Sequence, residues 1–276
     1  MNAAAPIGIF DSGVGGLSVW REIERALPHE SLVYVADQAH LPYGPRPSGE
    51  VRAFTEEIAR WLLARGCKAV VVACNTASAA ALKFLREAHP QVLFVGMEPA
   101  VKPAASQTRT RVVGVMATPG TLQGRMFALA VERFASGVTL VNQPCPGLVE
   151  RIEAGELDTP GTEALLRELL QPILGAGADT LVLACTHYPF VAPLIRRIAG
   201  ERLQIVDPAP AVARHLARSL AERGLSGTPG VAQHEFRTTS DPGTFARTIA
   251  QLLGVAHAAA PLRWQGAALD APAQAA

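Results

Sequence analysis

The stretch Ala69-Val70-Val71-Val72-Ala73-Cys74-Asn75-Thr76 decides how this chain is organised. An apolar, valine-rich run that breaks off at a thiol and two small polar residues reads as a buried strand with its chemistry at the carboxyl end. A second stretch, Thr180-Leu181-Val182-Leu183-Ala184-Cys185-Thr186-His187, repeats it in register. Gly66 falls opposite Gly177, and each follows a helical pattern, 51–65 in one case and 163–174 in the other. The repetition reaches further back. Arg111 to Thr121 echoes Ile7 to Gly13, with Gly114 under Gly8 and Thr118 under Ser12.

Strands alternating with helices at this spacing are parallel βαβ units. The expected fold is therefore α/β: two pseudo-symmetric domains with mostly parallel sheets flanked by helices, and a site in the cleft between them. The chain restarts near Pro99 and Pro103. The first domain is expected over 1–98 plus 209–256 and the second over 99–208, with 257–276 an alanine- and proline-rich tail that frays. Ser48 reads as the N-cap of the helix ending at Arg65, and the next helix is expected from Ser78 to Ala88. Thr159-Pro160 and Asp241-Pro242 read as cap and first-turn pairs.

Composition bounds the function. The chain has 276 residues, 49% hydrophobic and 18% charged, enough apolar material for real cores. A formal net charge of +1 leaves no footprint for nucleic acid, and no run of charge suits a membrane surface. The amino terminus lacks a basic signal-peptide region, and no apolar run is long enough to span a membrane. Four cysteines without a Cys-x-x-Cys do not make a disulfide framework. A cytoplasmic protein with reduced thiols is expected.

Several polar residues fall at predicted strand ends, where ligands bind in open α/β sheets. Asp11-Ser12-Gly13-Val14-Gly15-Gly16 follows the first strand and opens a helix; it is neither a Walker loop nor a dinucleotide fingerprint. It reads as an anion cradle or as a plain tight turn. Tyr43, in a proline-rich loop, is either an anchor or a pocket wall. Asn75, Thr76, Thr186 and His187 supply hydrogen bonds for a small zwitterionic or acidic ligand, and acceptor-only Asp11 suits an ammonium group or a thiol proton.

Any one cysteine at a strand end is ordinarily a small buried hydrophobe, and Cys67 and Cys145 keep that reading. Cys74 and Cys185 differ because their neighbours are polar and their positions equivalent. Facing each other across a cleft, two thiols reach opposite faces of one carbon, the geometry that inverts a stereocentre. A thiol can be tuned to either proton-transfer role. His187 could assist, or could be a satisfied structural histidine. A metal site would want close ligand pairs, which are absent, and a disulfide switch would need the sulfurs at bonding distance.

The chain resembles the glutamate racemases of the aspartate/glutamate racemase superfamily. The resemblance rests on Ile9-Phe10-Asp11-Ser12-Gly13-Val14-Gly15-Gly16, Pro42-Tyr43-Gly44, Ala73-Cys74-Asn75-Thr76 and Ala184-Cys185-Thr186-His187-Tyr188-Pro189. It implies interconversion of L- and D-glutamate for peptidoglycan, with neither a cofactor nor a metal. Cys74 would be the base toward D-glutamate and Cys185 toward L-glutamate, assisted by Asp11 and His187. Substrate contacts would come from Asp11, Ser12, Tyr43, Gly44, Asn75, Thr76, Thr186 and His187, with Thr118 and Thr121 nearby. An assisting carboxylate matches Glu153, with Glu150 the alternative, and Gln38 departs from the Ser or Thr common there. The resemblance also implies a homodimer. The alternatives are an aspartate or hydantoin racemase, or a protein that binds DNA gyrase as some relatives do; the near-neutral charge lends the last no support.

Overall fold

The computed structural model describes residues 2–227 and 230–270. Its first sheet is built from β1 (Ile7–Asp11), β2 (Leu32–Ala36), β3 (Ala69–Val72) and β4 (Leu93–Gly96). The second uses β5 (Val112–Ala117), β6 (Thr139–Pro144), β7 (Thr180–Ala184) and β8 (Gln204–Val206). Late in the chain come β9 (His234–Thr238), β10 (Ala259–Pro261), β11 (Arg263–Gln265) and β12 (Ala268–Asp270). The six-stranded sheet runs β10-β9-β2-β1-β3-β4 and the four-stranded sheet β6-β5-β7-β8, every pairing parallel.

The order β2-β1-β3-β4 is repeated as β6-β5-β7-β8, so the duplication read from the two cysteine stretches is present in the topology. β1, β3 and β7 are buried at every position, as expected of parallel strands covered on both faces. Gly8 and Gly114 occupy matching places in the central strands. A Cβ on Gly8 would stand 3.0 Å from Leu62, and one on Gly114 would stand 2.4 Å from Ile173. Leu62 and Ile173 belong to the helices that precede the two cysteine strands, Ser48–Ala64 and Pro160–Gly175. Each glycine lets its helix lie close on its sheet. One apolar cluster continues across both halves, joining Ile9, Val14 and Trp20 to Leu148, Leu170 and Tyr188.

Three expectations need correction. Ser48 is the first helical residue and makes no capping bond. The following helix starts at Asn75, three residues early, because Cys74 takes the cap position and its Sγ accepts the Ala77 N–H. The chain beyond Gly254 does not fray up to Asp270. β10 extends the first sheet, and β11 and β12 form a hairpin that buries Leu262 and Leu269; residues 271–276 lie outside the described residues. The Thr159 and Asp241 caps form as expected, on the Thr162 and Thr244 N–H groups. Far from the cleft, buried Lys68 and Glu30 pair at 2.5 Å, a contact no sequence pattern announces. Among the described residues no helix is long and apolar enough to cross a membrane.

Candidate active site

The carboxyl ends of β1, β3, β5 and β7 converge on one cavity of about 170 Å³. Sites for drug-sized ligands run upwards of roughly 300 Å³, so the space suits a small metabolite rather than a large ligand. Cys74, two residues beyond β3, and Cys185, directly after β7, both line it. Both are free thiols, 5% and 6% exposed.

Their surroundings differ. The Cys74 thiol faces Ser12 Oγ at 3.8 Å and accepts the Ala77 N–H at 3.5 Å. Burial, reinforced by the charge of Asp11, pushes this thiol up to about 12. Cys185 Sγ lies 3.7 Å from His187 Nδ1, and His187 Nε2 lies 2.6 Å from Glu153 Oε1. Burial opposes a charge on His187, but its contacts with Cys185 and Glu153 outweigh burial and hold it well above the usual histidine range. One thiol is kept protonated and the other sits beside an imidazolium backed by a carboxylate.

Asp11 ties the two sides together. Its Oδ1 accepts the Gly13 N–H at 2.9 Å and its Oδ2 accepts the Thr186 hydroxyl at 2.8 Å. Burial raises its pKa, with His187 and the Gly13 N–H opposing. The glycine loop is an anion cradle after all, but the anion is internal: Val14 N–H donates to Glu153 Oε1 at 2.7 Å. At the rim, Thr76 and Thr118 share a hydroxyl bond of 2.9 Å, and Gly120 N–H donates to Gly44 O at 3.1 Å.

Asn75 is the least satisfied group in the wall. It is 4% exposed, and neither side-chain polar atom has a partner. A buried amide with a free donor and a free acceptor is complementary to a polar ligand in the cavity. It opens the 14-residue helix Asn75–Ala88, whose amino end favours a carboxylate in the cavity.

The pattern of the family described as Asp/Glu/Hydantoin racemase matches residues 7–216. This chain belongs to that racemase family. Among its relatives in the family, the glutamate racemase of Roseiflexus sp. is 54% identical over 252 residues, 91% of this chain and 93% of its own length. The crystal structure of a glutamate racemase isoform from Bacillus anthracis superposes with a TM-score of 0.88 at 33% identity, covering 97% of this chain and 100% of the other. That of Francisella tularensis glutamate racemase in complex with D-glutamate superposes with a TM-score of 0.83 at 27% identity, covering 95% and 98%.

In this member of the racemase family, Ser12, Tyr43, Gly44, Asn75 and Thr76 line the cavity from the first half, and Thr118, Thr186 and His187 from the second. Asp11 and Glu153 stand one layer behind, bonded to groups that do line it. Thr121 is not part of the wall; it lies behind Thr118, 3.0 Å from its hydroxyl. Glu150 lines the cavity but is exposed and makes no bond to His187, so Glu153 is the carboxylate at the histidine. Cys145 is buried, as expected of a core cysteine, but it also lines the cavity; burial holds its thiol at about 12. Gln38 donates to Glu153 Oε2 at 2.8 Å and accepts from Thr238, a role invisible in sequence because 115 positions separate it from Glu153.

Proposed function

We propose that this chain is a glutamate racemase working by cofactor-independent proton transfer between two thiols. The observation that carries the reading is the pair of free thiols at equivalent strand ends, lining one small cavity. Starting from L-glutamate, Cys185 takes the α-proton, breaking C–H and forming S–H. Cys74 then delivers its own proton to the opposite face of the carbanion. From D-glutamate the roles reverse. The imidazolium of His187 stabilises charge beside Cys185, and Ser12 and Asp11 serve the Cys74 side. Asn75 and the helix start behind it supply complementary groups for the substrate's charged ends.

Glutamate as substrate is supported by relatives named glutamate racemase at about half identity over nine-tenths of the chain. The D-glutamate produced is a building block for peptidoglycan in the cytoplasm. The working assembly is a homodimer of chains, each with one domain over 1–98 plus 209–256 and another over 99–208.

Racemisation in D₂O tests this. L-glutamate should lose its α-hydrogen and its optical rotation together without added cofactor. Cys74→Ala and Cys185→Ala should each lower the rate by at least ~10²–10⁴-fold, the usual loss on removing a general acid or base. Full activity in either variant would sink the two-thiol mechanism. Faster turnover of aspartate or a hydantoin would reassign the substrate.

A further inference from the structure

Asp37 carries no role in the proton transfer, yet it is among the best-served carboxylates in the molecule. It is fully buried, and four side chains from three segments meet it. Oδ2 accepts the Tyr43 hydroxyl at 2.6 Å and lies 2.9 Å from His40 Nδ1. Oδ1 accepts the Thr239 hydroxyl at 2.9 Å and the Trp264 indole N–H at 2.7 Å. Three of these partners belong to the loop after β2 or to the end of β9. The fourth comes from the far end of the chain, on β11.

The contact is part of a packed unit. The Trp264 ring lies edge-on to His40 at 4.9 Å and tilted against Phe54 at 5.7 Å. His40 stacks on Phe54 at 3.8 Å, and Tyr43 leans on the same ring. The hairpin carrying Trp264 is itself anchored at both ends. Leu262 N–H donates to Thr238 O at 2.7 Å, and Leu269 N–H donates to Glu57 Oε1 at 3.0 Å. Leu262 and Leu269 join the apolar cluster that also holds Tyr43 and Cys74. Tyr43 and Gly44 are cavity wall, and Gly44 O takes the Gly120 N–H from the opposite half.

We infer that the carboxyl-terminal hairpin is a strap that sets the cavity wall, with Trp264 a positioning residue acting through Asp37 on Tyr43. An indole N–H fixes the carboxylate rotamer, the carboxylate fixes the tyrosine hydroxyl, and the tyrosine sets how the 42–44 loop meets the substrate and the opposing half. Trp264 lies outside the cavity lining. Its influence falls on binding rather than on the proton-transfer step. The kinetic side of this inference rests on the racemase reading; the structural side does not.

Trp264→Phe keeps the aromatic packing and removes only the N–H donor. The Michaelis constant for both glutamate enantiomers should rise about fivefold, the equivalent of one hydrogen bond, with kcat changed less than about twofold. Amide hydrogen exchange across 42–46 should quicken, while the melting midpoint stays within a few degrees of wild type. In a Tyr43→Phe background the same substitution should add less than about twofold, because the relay is already cut. An unchanged Michaelis constant with unchanged exchange would overturn the inference. So would full additivity with Tyr43→Phe, or loss of the fold in Trp264→Phe, since either makes the tryptophan a packing residue only. Should the wild-type chain fail to racemise glutamate, the racemase reading falls, and the exchange comparison still decides for or against the strap.

Discussion

Glu153 stands behind the cavity wall, where its Oε1 meets His187 and the Val14 N–H and its Oε2 takes the Gln38 amide. These bonds aim one negative charge at the imidazole, and that charge helps hold the histidine proton against burial. In Glu153→Gln the charge is gone, so burial counts for more and His187 loses its proton at lower pH. The imidazolium beside Cys185 then disappears sooner as pH rises. The alkaline limb of the kcat/KM profile should move to lower pH, with a loss of about tenfold near the wild-type optimum, less than the ~10²–10⁴ for removing an acid or base outright. An unshifted profile would separate Glu153 from the chemistry. The two catalytic candidates were legible in sequence because duplication places them side by side on the page. Cys145 was half-legible: the apolar reading predicts its burial, but nothing local says that a buried thiol also faces the cleft. Gln38 and Trp264 were not legible, since their partners are distant in sequence and neither sits in a repeated motif.

At the scale of elements, the matching glycines in β1 and β5 ask the same thing of two different helices. Leu62 can swing its Cδ atoms away from a new methyl on Gly8, whereas the β-branched Ile173 has little room to turn from one on Gly114. Gly114→Ala should therefore destabilise by about 1–3 kcal/mol, the usual cost of overpacking, and Gly8→Ala by less. Urea unfolding of the two variants checks this, and a reversed order would mean that the second helix shifts more freely than the first. The central strands β1, β3 and β7 are readable from apolar runs, because strands covered on both faces leave no polar interruption, whereas the order of strands in each sheet is not. The start of the helix after β3 is not legible in the sequence because a cysteine is not among the usual cap residues. The segment 257–270 suggests fraying because five alanines and Pro261 fill it, while Leu262, Trp264 and Leu269 suffice to dock it.

The whole molecule is two copies of one topology closed over a shared cavity, with Asp11–Thr186, Val14–Glu153, Thr76–Thr118 and Gly44–Gly120 joining the halves. The copies are not equal in what they place around their thiols: a serine and a buried carboxylate on one side, a histidine–glutamate pair on the other. Yet the two enantiomers have the same free energy in water, so the equilibrium constant is unity whatever the enzyme. Microscopic reversibility then forbids this lopsidedness from showing in the ratio of kcat/KM for the two directions. It must appear instead in how that common value divides between turnover and saturation. Ser12→Ala, which alters only the Cys74 side, should lower kcat/KM for L- and D-glutamate by the same factor while the two kcat values move apart. Initial rates from each pure enantiomer measure this, and equal shifts in both kcat values would show that the serine does not distinguish the faces. An asymmetric site thus runs a symmetric reaction by paying its differences out in how long each mirror image is held.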